Sequence, residues 1–446
     1  MIENIDKSTK QREMMIDYTE EILESISLEN IMKDKIKYSE GILTLGENKF
    51  KVSDKTYVFG FGKSSAAMAE KIEKLFDIHL EGLIITKDGY EKNLKNIEIL
   101  SGAHPYPDER TFQNSDKLIE KLKMVEKNST VIFLISGGGS ALFEKAEDDI
   151  SLEDLKITNK ILLKSGLDIK NINVIRKHIS GVKGGKLLKV LKNKNCQIFN
   201  LIISDVENNN LSTIASGPTN YDESTFYDAT KIIEEKNLKN MLPKKLVDFM
   251  YKNLEIKEKE TLKIEEFKKY KVKNFFISKV EEAVIRAYNI LNKKGIKTHI
   301  LSTDLYGDSF EAGKFTGSIA LEIKKYDRPF RKPCILISGG ETTVNVEDSH
   351  GIGGPNKEFV LGFVDRIKTQ KGITQIAIDT DGTDGPCDSA GAIGDFKTYE
   401  KIRRNYEYNK VVNSKNTEEI FKKINDLVIT GPKESNLNDL RITIIE

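Results

Sequence analysis

The chain has 446 residues, and 70 Lys+Arg against 69 Asp+Glu leave a formal net charge of +1 with histidine neutral. That balance provides no broad basic field for nucleic acid and no acidic disordered tail, and the length suits about two or three domains. Cys196, Cys334 and Cys387 lie far apart without paired spacing, which argues against a disulfide framework or a Cys-rich zinc site.

Residues 9–38 carry Met14, Met15, Tyr18, Ile22, Leu23 and Ile26 at helical spacing among charges, which predicts one long amphipathic helix. A turn-rich piece with Gly41 and Gly46 follows. Tyr57-Val58-Phe59 then reads as a strand running into Gly60-Phe61-Gly62-Lys63, with a helix from Ala66 to Leu75. Further strands are expected at 83–86, 97–100, 131–135 and 198–203, the last two as apolar runs buried on both faces. Residues 237–273 are rich in Lys and Glu and read as a hinge or interdomain helical region. The pattern then restarts, with strands at 274–277, 298–302, 334–337 and 376–378 and helices at 279–292 and 308–325. Strand–helix alternation predicts two α/β domains with mostly parallel sheets. The first is a Rossmann-like N-terminal domain over residues 1–255, the second a smaller C-terminal domain over 270–446. No stretch approaches the roughly 18 apolar residues of a membrane helix, and the acidic N-terminus lacks a signal-peptide core. The expectation is a cytoplasmic protein, monomer or homodimer, with no membrane or nucleic-acid partner.

In parallel α/β sheets, ligands bind beyond the carboxyl ends of strands. Ser136-Gly137-Gly138-Gly139-Ser140 ends one predicted strand and Ser338-Gly339-Gly340-Glu341-Thr342 ends another. Such glycine-rich strand–helix turns suit phosphate or carboxylate. Lys63 opens a predicted helix, where a cation is unfavourable without an anionic partner, and this points to a phosphate- or substrate-binding lysine. Gly60-Phe61-Gly62 lacks the third glycine of a dinucleotide fingerprint, because that position is Ser65. Arg176, Lys177, His178, Lys183 and Lys186 fall within eleven positions, either a solvated helix face or, for Arg176 and Lys183, anion contacts. His104-Pro105-Tyr106-Pro107-Asp108-Glu109 is a rigid turn whose lone histidine reads as structural. Asp379, Asp381 and Asp384 alternate with glycines after a strand, a pattern that suits magnesium or catalytic-base chemistry.

These motifs together resemble the type II glycerate kinases, which make 2-phosphoglycerate from glycerate and ATP. The resemblance rests on Gly60–Lys63, His104–Glu109, Leu134–Leu142, Arg176–Ser180 with Lys183-Gly184-Gly185, Ser204-Asp205-Val206, Ala215–Thr219, Ser338–Val344, Asp379–Gly385, Gly431-Pro432 and Asn436–Arg441. They run in family order from about residue 57 to the end. The resemblance implies an active site in a cleft between two α/β domains and an ATP–Mg²⁺ kinase acting on a small hydroxy acid. Lys63 would match the family's active-site lysine, and Asp379 and Asp381 its acidic cluster. Asp205 joins Asp381 as a metal-ligand expectation, and Asn356 joins the substrate contacts. The chain departs from the family where Ile352 and Pro355 replace two arginines and where Asn209 and Asn210 replace two aspartates. Two other readings stay open: an NAD(P)H-dependent hydroxypyruvate reductase, supported by Gly60-Phe61-Gly62, and a non-catalytic ligand-binding relative.

Overall fold

The computed structural model describes residues 2, 5–147, 150–204, 206, 209–346, 351–434 and 437–446. The chain forms two compact units: a middle unit of residues 32–277, and a terminal unit that joins residues 1–31 to residues 278–446.

The middle unit opens with a small antiparallel meander, β1 (Ile36–Ser39), β2 (Ile42–Leu45) and β3 (Asn48–Lys51). Its main sheet comprises β4 (Thr56–Phe61), β5 (Leu80–Lys87), β6 (Ile97–Gly102), β7 (Thr130–Ile135), β8 (Gln197–Ile203) and β9 (Lys271–Ser278), in the order β6-β5-β4-β7-β8-β9. The five strands from β6 to β8 are parallel. Every residue of β7 is buried, as its uninterrupted apolar run predicts. The strand order reverses between β4 and β7, and their carboxyl ends flank the crevice where doubly wound sheets take ligands.

The terminal unit contains β10 (Thr298–Ser302), β11 (Cys334–Gly340), β12 (Ile373–Asp379), β13 (Gly391–Asp395), β14 (Leu427–Val428) and β15 (Asp439–Ile445), in the order β10-β11-β15-β12-β13-β14. Both units are α/β, as expected, but this second sheet is not mostly parallel. Only β10 and β11 pair in parallel; the other four pairings are antiparallel. Two of these come from β15, which fills the gap between β11 and β12, and two from the run β12-β13-β14 at the other side of the sheet.

The domain boundaries differ from the sequence expectation at two places. Residues 1–31 leave the first domain because Arg12, fully buried on the helix Lys10–Ser25, holds two carboxylates of the terminal unit. Its Nε and Nη2 donate to Asp395 at 2.8 and 2.9 Å, and Nη1 donates to Asp426 at 2.7 Å. Met15, Ile16 and Ile22 pack beside Ile376, Ile442 and Ile444 in the same core. The predicted 9–38 helix also breaks at Ile26-Ser27. It resumes at Leu28–Lys35, where the Ser27 hydroxyl accepts the Asn30 N–H. Residues 237–273 are no hinge. Leu242, Leu246 and Met250, spaced by four, join the core around the helix Ile169–Ile179, and β9 lies in the middle-unit sheet.

Candidate active site

At the β4–β7 switch point of the middle unit, the loops after the two strands lock together. The Lys63 N–H donates to the Gly137 carbonyl at 2.9 Å, and the Ser64 N–H donates to the Ser136 hydroxyl at 3.0 Å. Ser136 is therefore buried scaffolding. Gly138 adopts φ +79° and starts the short helix Gly139–Leu142. A side chain at Gly138 would sit 2.9 Å from the His104 ring and 3.3 Å from the Lys63 stem. His104 and Lys63 thus converge over a glycine that has to be small. Among the described residues, the Lys63 ammonium makes no ion pair. Burial first, and then the charges of Lys63 and Lys87, push the His104 pKa down to about 4, so the imidazole is neutral at pH 7.

Gly138, Ser140 and His104 line a cavity of about 730 Å³ together with Glu144, Lys156, Asn159, Lys160, Arg176 and Lys183. The Ser140 hydroxyl bonds that of Ser216 at 2.9 Å. Arg176 and Lys183 divide sharply in role. Lys183 is buried and already paired with Glu144, and it donates to the Ser140 carbonyl at 3.0 Å. Among the described residues the Arg176 side chain makes one hydrogen bond, from Nε to Asn159 at 2.7 Å, and burial lowers its pKa although Glu144 opposes the shift. The rest of the basic run is neither a solvated face nor an anion patch. Lys177 pairs with Asp222 at 3.0 Å, His178 with Glu260 at 2.9 Å and Lys186 with Glu147 at 2.8 Å, all inside the unit.

The terminal unit gathers Ser338, Gly339, Gly340, Thr342, Asn356, Asp379 and Asp381 toward one end of the central strands of its sheet. The register places Gly340 and Asp379 on either side of Asp439, the first residue of β15. Gly339 and Gly340 lie within β11 and open no helix, which differs from an anion-binding turn. Gly340 has φ +104°, and a side chain there would strike the Leu305 backbone. The Thr342 hydroxyl accepts from Ser309 and from Arg441, both at 2.9 Å. Asp379 accepts the Asp381 N–H at 3.0 Å, and Asp381 accepts the N–H and hydroxyl of Thr383. Asp384 caps the helix Pro355–Ile367, accepting the N–H groups of Asn356 and Lys357 at 2.9 and 3.0 Å. Pro355 sits in the first turn of that helix, where no N–H is needed, and Ile352 is exposed.

Asn356 also donates to Asp439 at 2.6 Å, and Arg441 pairs with Asp439 at 2.5 Å. Burial pushes the Asp439 pKa up to about 6 despite Arg441. Burial and the neighbouring Asp381 and Asp439 raise Asp379 well above the ordinary carboxylate value. Crowded carboxylates of this kind fit a hard divalent cation: the donors are oxygens, and a cation would relieve the repulsion. Among the described residues, however, no three acidic, histidine or cysteine side chains already converge as ligands. Asp205 lies outside the described residues.

The Domain of unknown function (DUF4147) model matches residues 14–251, and the MOFRL family model matches residues 334–439. A glycerate 2-kinase of Pyrococcus horikoshii is 42% identical over 414 residues, 92% of each chain. The chain belongs to the glycerate kinase family. A D-glycerate 2-kinase of Thermotoga maritima is 35% identical, over 88% of this chain and 91% of that one. The crystal structure of a Thermotoga maritima glycerate kinase superposes with a TM-score of 0.85 at 32% identity, covering 97% of this chain and 99% of that one. A protein of Agrobacterium vitis carrying the provisional name hydroxypyruvate reductase is 33% identical over 395 residues, 87% of this chain and 98% of that one.

Within this glycerate kinase family chain, sequence reasoning missed His104, Asp439 and Arg441 as neighbours of the site residues. Asp384, read from the sequence as part of the acidic cluster, turns out to cap the helix Pro355–Ile367. For His104, Asp439 and Arg441 only strand order supplies the proximity.

Proposed function

We propose that the protein is an ATP-dependent kinase that phosphorylates a hydroxyl of a small hydroxy acid, most simply D-glycerate to 2-phosphoglycerate. The observation that carries this reading is the 42% identity to a glycerate 2-kinase over 92% of both chains. Phosphoryl transfer needs alignment and charge neutralisation more than covalent chemistry. Lys63 and Arg176, with no ion pair and a single side-chain hydrogen bond respectively among the described residues, supply positive charge for phosphate or carboxylate oxygens. Gly137, Gly138, Gly139 and Ser140 let a ligand approach the backbone. Asp379 and Asp381 are the groups that would hold Mg²⁺, with Asp205 as a further ligand; the cation would neutralise phosphate charge. Asn356 orients the Asp439 carboxylate, and Thr342 holds Arg441, which pairs with it. Ser338, Gly339, Gly340 and Lys183 support the loops. The proposed setting is the cytoplasm. No helix among the described residues is long and apolar enough to cross a membrane.

The reductase name of one relative keeps a second assay necessary, although here Gly60 lies inside β4 and Ser65, at the third fingerprint position, donates its hydroxyl to the Gly62 carbonyl at 2.6 Å. The test is ADP release from ATP–Mg²⁺ over a panel of hydroxy acids, run beside NADH oxidation with hydroxypyruvate. Glycerate-dependent ADP release is expected. NADH oxidation without ADP release would replace this reading with the reductase, and silence in both assays would leave a binding protein.

A further inference from the structure

The cavity of the middle unit has room for more than a hydroxy acid. At the roughly 30 Å³ that liquid water takes per molecule, a three-carbon acid of about seven heavy atoms would fill about a third of its 730 Å³. Its lining is also two-sided in chemistry. Pro105, Tyr106, Pro107 and Leu163 are apolar, and Tyr106 and Leu163 keep 71% and 55% of their surface exposed, so they offer an apolar face to whatever enters. The cationic side is Lys156, Lys160, Lys164 and Arg176. Lys183 adds no net charge, because Glu144 neutralises it.

The three lysines are four residues apart on the helix Leu152–Lys164 and share one face. Like charges at that spacing destabilise a helix, and none of the three has an ion-pair partner among the described residues. Arg176 lines the same cavity, tied by Nε to Asn159 on that helix, and its remaining side-chain N–H groups have no partner among the described residues. A ligand with an aromatic body and several negative charges satisfies both sides together. We propose that this cavity is the seat of the nucleoside di- or triphosphate, with the base against Tyr106 and Leu163 and the phosphates on Arg176 and the lysine row. The assignment rests on the kinase reading for its biological sense but not for its test.

The test is isothermal titration of the full-length protein with ADP, then with inorganic pyrophosphate. Tyr106→Ser and Leu163→Ser should each raise the Kd for ADP by about five- to tenfold, the usual loss when a base loses a stacking or apolar partner, and leave that for pyrophosphate within twofold. The charge-reversed triple variant K156E/K160E/K164E should weaken both and flatten the salt dependence of binding. All five positions are solvent-facing or partly so, and unchanged melting temperatures will confirm intact folds. ADP affinity unmoved in both serine variants overturns the proposal. So does a variant that raises the KM for the hydroxy acid while sparing that for ATP, which would make the cavity the acid's seat. Should the wild type bind ADP with this pattern but release none from ATP, the seat stands and the kinase reading falls.

Discussion

Asp439 shows how one carboxylate can sense its surroundings. Its folded pKa of about 6 lies above the ordinary 3.8 because burial outweighs Arg441. Between those values the folded chain keeps a proton that the unfolded chain releases, so stability falls as pH rises from about 4 to about 6 and then levels off. Melting curves should therefore show the wild type losing ground to Asp439→Asn across that window; parallel curves would place the carboxylate at its ordinary pKa. Lys63 is the complementary case, a cation whose ammonium pairs with nothing among the described residues. Lys63→Ala should cut turnover by at least about a hundredfold, the scale of losing one preorganised charge contact, and move the melting temperature little. Turnover like the wild type's would remove Lys63 from the chemistry. Lys63 and Gly138 were legible because a lysine and glycines at strand ends have few structural reasons to be there. His104 was not legible, since it lies about forty residues away and only the β6-β5-β4-β7 order brings its ring over Gly138. The run from Arg176 to Lys186 misled for a related reason: composition shows charge, but not the buried acids that meet it.

At the scale of elements, the helix Lys10–Ser25 is held by the fork of Arg12 between Asp395 and Asp426. Arg12→Met would leave two buried carboxylates without their cation. Breaking a buried pair in this way costs about 3–5 kcal/mol, and urea denaturation followed by circular dichroism should show that loss in the terminal unit. A loss below about 1 kcal/mol would mean that Lys401, which also reaches Asp426 at 3.0 Å, carries the charge instead. The buried strands from β4 to β8 were readable from their apolar runs. The strand β15 was not, because Asp439 and Arg441 break its apolar pattern for the sake of the site beside them. Its antiparallel insertion is also invisible to a rule that expects strand–helix alternation to give parallel sheets.

For the whole molecule, the two units have separate hydrophobic cores, and the last strand lies in the middle of its sheet. Removing residues 439–446 should therefore strip β11 and β12 of the strand they both pair with, without touching β4 or β7. Hydrogen exchange is expected to lose protection over 334–340 and 373–379 and to keep it over 56–61 and 130–135. Equal loss in both sheets would show that the units fold as one.

The placement of β15 also orders events on the ribosome. The middle unit has all of its residues once position 277 has emerged, whereas the terminal unit lacks its central strand until residues 439–445 follow. The helix Lys10–Ser25 exposes Met15, Ile16 and Ile22 until Val284, Ala287 and Leu291 of the same core follow, more than two hundred and fifty residues later. Its native core is completed only by residues beyond 278, so this helix has to wait on sequence made long after it.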